Sequence, residues 1–363
     1  MDRRVWHNFD FILLAATALL IIFGLAMIHS ATFGMPGMEG LAFRQAAYAV
    51  IGLVVMLAAA AIDYRLWWNL QKPLYALAIL LLLTVLIAGS AMHGARRWID
   101  LKLFPFQPSE LAKVILIVVL ARHFAMHGGE TGRFLRFLVS MAYVVPIAVL
   151  IYLQPNLGTS LIMLIIWLAM ALMAGVRVLH LVFLGLAGAA IAPFIWRSLE
   201  DYMRQRLLLF LNPTSNPAAR YNADQALISI GSGGWLGKGF AHGSQSQLHF
   251  LRVRHTDFIF SVIGEEMGFL GALVVLVLLA VILLRIVRAA EMARDTFGKL
   301  IAYGVATVIF LQGAVNIGMN LGLLPVTGTP LPFVSYGGSS LITLLLAEGF
   351  VQSVVMRHKK IEF

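Results

Sequence analysis

The chain has 363 residues, 60% of them hydrophobic and only 12% charged, about half the charge of an ordinary soluble domain. That composition excludes a soluble globular enzyme, and the absence of cysteine excludes disulfides, thiolate metal sites and a cysteine nucleophile. The net charge of +10 does not call for nucleic acid, because basic residues of membrane proteins gather in cytoplasmic loops against anionic lipid.

Apolar stretches near or above the roughly 18 residues that cross a bilayer recur along the whole chain. They predict an all-α, polytopic membrane protein with ten spans, at 9–29, 45–62, 74–91, 108–125, 135–153, 157–174, 178–196, 257–285, 299–322 and 338–356. The first apolar segment, Phe9 to Ile28, is too long for a signal-peptide core and lacks a small-residue cleavage site, so it reads as an uncleaved span. After the third span, "GARRWIDL" (94–101) sets Arg96 and Arg97 beside Trp98 at the membrane surface. Trp98 suits an interfacial belt, and the arginines suit phosphate.

The fourth span opens in "QPSELAK" (107–113), where Pro108 fits the first helical turn and Ser109 fits a cap. Glu110 and Lys113 stand three apart, on one helical face. An ionisable group within a span costs at least about 2.5–3.5 kcal/mol, so this pair has a purpose. It either fixes helix packing as a buried ion pair or shapes a cavity. "QPNLGTS" (154–160), with Gln154 at its head, joins the fifth and sixth spans with almost no loop.

Residues 197–256 then form one large hydrophilic loop carrying Arg197, Arg204, Arg206, Arg220, Lys238, Arg252 and Arg254. These charges either solvate the loop or meet an anionic ligand. Within it, "QALISIGSGGWLGKG" (225–239) predicts re-entrant or surface-lying helices that bend at Gly231, Gly233 and Gly234, where bare backbone can approach a ligand.

The eighth span begins "RHTDFIFSVIGEEMGF" (254–269), with Asp257 at its mouth. A helix cap accounts for an acid there as well as chemistry does. Glu265 lies eight residues on, about 80° around the helix, while Glu266 points nearly opposite. Glu265 is therefore the pocket candidate and Glu266 a partner for another helix. His255 reads as a solvated loop residue. No His/Asp/Glu spacing makes a metal site, and neither a nucleotide-binding loop nor a nucleophile motif is present. Between the last two spans, "NIGMNLGLLPVTGTPLPFVSYGGSSL" (316–341) is dense in Pro and Gly. Such irregular backbone near a membrane needs polar partners. It either lines an outer cavity with the hydroxyls of Ser335, Tyr336, Ser339 and Ser340, or it is a rigid hairpin.

An even number of spans puts both termini on one side. With the N-terminus inside, fifteen basic residues fall in the inner segments, and the short outer loops hold only Arg44, Arg96, Arg97 and Lys102. The positive-inside rule then predicts cytoplasmic termini, and the long loop is exempt from it.

"GARRWIDL", "FQPSELAK", "QPNLGTS", "EDYMRQRLLLFLNP", "SIGSGGWLGKG", "HTDFIFSVIGEE" and "GLLPVTGTPLPFVSYGGSS" occur in the order in which the SEDS family (shape, elongation, division and sporulation) carries similar motifs. Together they resemble that family of polytopic peptidoglycan glycosyltransferases over nearly the whole chain, as a single SEDS membrane domain, 1–363. "KGFAHGSQSQLHFL" (238–251) resembles the elongation-type RodA branch rather than the division-type FtsW branch.

The resemblance implies a bacterial inner-membrane enzyme of cell shape and wall biogenesis that polymerises lipid II on the outer face. It puts the family's essential acid on Asp257. A β-1,4 link made from an α-linked pyrophosphate donor inverts the anomeric carbon in one displacement. The acceptor sugar hydroxyl needs a base, and the departing pyrophosphate needs positive charge. Arg96, Arg97, Lys113, Arg204, Arg206, Lys238 and Arg254 are the available cations, with Trp98, Glu110, Gln154, Glu265, Ser335 and Tyr336 completing the substrate-facing set.

A divalent cation, Mg or Mn, is compatible with that leaving group, although no ligand set is visible. The implied partners are a class B penicillin-binding protein transpeptidase and other membrane proteins of the elongation complex. Asn156, Arg252 and Ala226 depart from the family's usual Asp, Pro and Ser. Two other readings stay open: a transporter that flips lipid II, and a non-catalytic scaffold of the wall-synthesis machinery.

Overall fold

The computed structural model describes residues 6–92, 95–100, 105–126, 134–212, 216–248, 250–251 and 253–358, with the backbone alone at 90–92, 95–96, 202 and 217–219. Arg3, Arg4, Lys102, Arg133, Arg252, Lys359 and Lys360 lie outside the described residues, as does the Arg96 side chain.

Helices stand within a few residues of every expected span. They are α1 (Phe11–Thr32), α2 (Leu41–Ala61), the single turn α3 (Leu66–Asn69), α4 (Gln71–Ala88), α5 (Pro108–Met126), α6 (Phe134–Tyr152), α7 (Leu157–Met173) and α8 (Val178–Ser198). The large loop carries α9 (Asp201–Leu211), α10 (Pro217–Gly233) and α11 (Ser244–Gln247). Then follow α12 (Ile259–Glu266), α13 (Gly268–Met292), α14 (Thr296–Asn320) and α15 (Gly338–Met356). Among the described residues eight helices are long and apolar enough to cross a membrane; α7, with 17 residues, and α5, with its ion pair, complete the set. The protein is therefore a multi-pass, all-α membrane protein.

A small antiparallel sheet interrupts the helices between α4 and α5: β1 (Ser90–Met92), β2 (Ala95–Asp100) and β3 (Pro105–Phe106), with Trp98 opposite Ser90 and Ile99 opposite Phe106. Arg96, Arg97 and Trp98 thus sit on a strand, which stiffens a connection that hydropathy alone reads as loop.

Small residues draw the central helices together. A methyl group on Gly349 of α15 would come 2.6 Å from Met56 O of α2, and one on Gly52 would come 2.4 Å from Leu345 Cδ1. α5 is buried along nearly its whole length. By contrast α8 meets the bundle chiefly near its ends. His180 stacks on Phe137 with ring centroids 5.8 Å apart, and the Tyr152 hydroxyl donates to Ser198 O at 2.8 Å.

The expected 257–285 span is two helices rather than one. The chain breaks at Gly268, in the left-handed region at φ +64°, and the segment after α10 closes the break. Lys238 N and Gly239 N each donate at 3.0 Å to Glu265 O and Glu266 O, while Phe269 N and Leu270 N donate to Gly234 O and Trp235 O. The freed backbone groups are satisfied by protein, as irregular structure at membrane depth requires. The glycine cluster serves this contact. A methyl on Gly233 would come 1.9 Å from Gly264 O and one on Gly237 would come 2.2 Å from Glu266 O. α10 runs straight through Gly231 and ends at Gly233, so the bend expected at Gly231 is absent.

Candidate active site

α12 starts at Ile259 with Phe258 as its N-cap, and that cap makes no side-chain bond. The half-buried Asp257 therefore precedes the helix, on the turn 253–258. Three consecutive carbonyls of this turn are held by two distant parts of the chain, the loop at 335–336 and the end of α14. His255 O accepts from Tyr336 N at 2.9 Å, and Thr256 O accepts from Ser335 Oγ at 2.6 Å. Asp257 O accepts from both Asn316 Nδ2 and Asn320 Nδ2, each at 3.0 Å. Ahead of them, the buried Arg254 donates from Nε to Ala31 O, clasping the C-terminal end of α1. With each peptide carbonyl satisfied, the backbone beneath the carboxylate has one arrangement.

The Pro/Gly-rich stretch forms the opposite wall. Gly328 adopts φ +73°, and a methyl there would meet Asp257 Oδ2 at 3.5 Å, so the carboxylate lies against bare backbone. The same stretch borders a shallow groove of about 60 Å³ lined by Arg97, Pro155–Gly158, Met203, Arg206 and Pro325–Thr327. Arg97 donates from Nε to Gln154 O at 3.0 Å and from Nη2 to Pro155 O. Arg206 Nη1 donates to Val326 O at 3.1 Å. Gln154 is buried, its Nε2 bonded to Leu82 O at 3.0 Å, and so positions Arg97 through its carbonyl. Asn156 caps α7, accepting from Thr159 N at 3.3 Å, a task for which the family's usual Asp is not needed.

Ser335 and Tyr336 sit where they hold the Asp257 turn. The Tyr336 ring faces His255, with centroids 5.8 Å apart. Burial, with Tyr48 beside it, pushes the Tyr336 phenol above its ordinary range against the pull of Arg44. Gln45 supports the same loop, donating to Ser335 O at 3.2 Å and accepting from Gly337 N at 3.1 Å. Sequence reasoning missed Arg44, Gln45, Asn316 and Asn320. An amide within a span was the available signal for the two asparagines.

Other expected site residues take different places. Glu265 is fully buried and accepts from Lys238 Nζ at 3.0 Å, Gln245 N at 2.8 Å and Ser246 N at 3.0 Å, so it caps α11 and pairs with the loop lysine. It does not open onto a pocket, and Lys238 already has an anion. Glu266 reaches another helix, as expected, through Ser30 of α1. Arg204 donates to Trp196 O at 3.0 Å and to Arg197 O, closing the C-terminal end of α8. Burial pulls the Arg254 guanidinium below its ordinary value against the charge of Glu266. Glu110 and Lys113 form a buried pair at 2.8 Å in the first turns of α5. That end of α5 is tied to α15 through Ser339 Oγ, which accepts from Gln107 N and donates to Pro105 O, both at 3.0 Å. Trp98 is half-buried on β2. Among the described residues no group of three or more His, Asp or Glu stands where a metal ion could be held.

Comparison with known proteins gives the family. The FtsW/RodA/SpoVE family of cell cycle proteins matches residues 10–360. The peptidoglycan glycosyltransferase MrdB of Escherichia coli K12 is 38% identical over 360 residues, covering 96% of this chain and 95% of its own. A solved chain described under "Structural coordination of polymerization and crosslinking by a peptidoglycan synthase complex" superposes with a TM-score of 0.84 at 31% identity, covering 96% of this chain and 98% of that one. The crystal structure of the rod shape determining protein RodA of Thermus thermophilus gives a TM-score of 0.74 at 30% identity, covering 98% and 99%. The chain belongs to the FtsW/RodA/SpoVE family and is a RodA-like member of the SEDS peptidoglycan glycosyltransferases.

Proposed function

We propose that the protein polymerises lipid II into β-1,4 glycan strands, with Asp257 as the general base of a single inverting displacement. The observation that carries this reading is the seating of Asp257. It is a half-buried carboxylate on a turn whose carbonyls at 255, 256 and 257 are each held, lying against Gly328 beside a groove flanked by Arg97 and Arg206. It takes the proton from the acceptor sugar hydroxyl as that oxygen attacks the anomeric carbon. The bond to the lipid pyrophosphate breaks on the opposite side, and cations offset the negative charge that collects there. Arg97 and Arg206 are the candidates best supported for this role, because both line the groove, whereas Lys238 and Lys113 pair with Glu265 and Glu110 and Arg204 closes the end of α8.

The charge distribution supports cytoplasmic termini and a site on the outer face of the membrane. The likeness to a chain of a peptidoglycan synthase complex supports a class B penicillin-binding protein as partner.

Polymerisation by the purified protein with that partner and lipid II in detergent tests the proposal. Wild type makes glycan, and Asp257→Asn, which keeps the shape and loses the base, makes none while folding and binding the partner normally. An Asp257→Asn protein as fast as wild type refutes the assignment. A pure translocator makes no glycan in detergent in any form, because no bilayer remains to be crossed.

A further inference from the structure

Asn316 and Asn320 stand four apart on α14, hence on one face, and both are completely buried. A primary amide presents two N–H donors and one carbonyl, and each needs a partner at membrane depth. Asn320 spends its carbonyl on Ser261, accepting from N at 3.2 Å and from Oγ at 2.6 Å. Its Nδ2 answers Asp257 O at 3.0 Å and Asn316 O at 2.8 Å. Asn316 Nδ2 donates to Asp257 O at 3.0 Å and to Thr329 O at 2.8 Å. Only an NH2 group can answer two carbonyl oxygens at once, so these neighbours fix the amide's orientation.

Thr329 adjoins Gly328, the residue against which Asp257 Oδ2 lies. Its hydroxyl is 3.0 Å from Thr327 Oγ1, and one residue further back Val326 O receives Arg206 Nη1 at 3.1 Å. A connected path therefore runs from the arginine at the groove, along 326–329, through one amide, to the peptide of the acid. Packing alone would be served by a leucine. An amide whose two donors are divided between the acid's peptide and the groove wall ties these two segments directly, next to the clasp that Ser335 and Tyr336 place on residues 255 and 256.

We infer that Asn316 is a positioning residue: its amide joins the Asp257 turn to the loop 325–329, so that the base and the wall of the groove hold one separation, with Asn320 backing the same carbonyl. The inference rests on the reading of Asp257 as base. Loosening the tie displaces the carboxylate relative to a bound sugar while leaving the groove's own side chains in place, so turnover falls and substrate affinity does not.

The test uses the full chain with its partner and lipid II in detergent, measuring kcat, KM and the thermal midpoint for Asn316→Ala, Asp257→Asn and a control, Gln352→Ala. Gln352 is equally buried and exchanges two hydrogen bonds of 2.9 Å with Asp10 at the far end of α1. Asn316→Ala is expected to lose about 10²-fold in kcat, the scale of a misplacement near 1 Å, with KM unmoved. Gln352→Ala is expected to lose thermal stability and keep its kcat. If Asn316→Ala loses no more kcat than Gln352→Ala, or if its loss appears in KM, the inference is overturned. If Asp257→Asn turns over like wild type, the base assignment falls first and takes this one with it. If Asp257→Asn is inert while Asn316→Ala matches the control, only the positioning role fails. Should Asn316→Ala not fold, Asn316→Ser, which keeps one donor in a smaller volume, is read by the same separation of kcat from KM.

Discussion

Glu265 and Glu266 are neighbours in α12, both without exposed surface, and each gathers donors from the stretch 238–247. A carboxylate this deep is tolerated only because hydrogen bonds replace the water it has lost. Lys238 is less enclosed, with 29% of its side chain exposed, so its removal leaves Glu265 with its backbone donors and a weaker balance of charge. Lys238→Ala should therefore cost about 1–3 kcal/mol, read as a lower thermal midpoint in detergent, while KM for lipid II stays at the wild-type value. A rise in KM at unchanged stability would return the lysine to the substrate.

The sequence allowed some of these side chains to be read correctly. The i,i+3 spacing of Glu110 and Lys113 announced their pairing. The tasks of Asn316 and Asn320 were hidden because their partner Asp257 lies 59 and 63 residues away, and no local pattern reaches across that separation.

At the scale of elements, glycine does most of the shaping where α10 meets the broken helix α12–α13. The positions are not equivalent. Gly231 lies inside α10 with nothing within 4 Å of the place a methyl would occupy, whereas the methyl of an alanine at 233 would fall on Gly264 O. Gly231→Ala should raise stability by about 0.5–1 kcal/mol through the lost flexibility of glycine, and Gly233→Ala should prevent recovery of folded protein. Size-exclusion profiles and thermal midpoints of the two purified variants separate these outcomes. The cluster stands out in the sequence, yet its meaning does not. The same residues suit an approach to a ligand or to another backbone, and only the fold shows the second. The break at Gly268 was hidden for a related reason: the apolar run continues across it, and hydropathy is blind to φ.

For the molecule as a whole, the order and extent of the spans were legible, since membrane crossing is decided by length and apolar character, both one-dimensional properties. Which end faces outward is an expectation from loop charge and is open to direct measurement. The chain contains no cysteine, so single cysteines report on a silent background. In intact spheroplasts a membrane-impermeant maleimide should label Asp201→Cys, whose side chain is 92% exposed in the natural residue, and should spare Arg294→Cys until the cells are opened. The reverse pattern would turn the molecule over.

The clasp on residues 255 and 256 comes from Tyr336 and Ser335, just ahead of the final helix. As the chain leaves the ribosome, Asp257 is made well before those two residues, and until they follow, the carbonyls of 255 and 256 lack these partners. A chain cut off after α13 carries the acid and is expected to make no glycan, which the detergent polymerisation assay reads. On the reading of Asp257 as base, the acid acquires its full seat only with the last segment of the chain, where α15 packs beside α2.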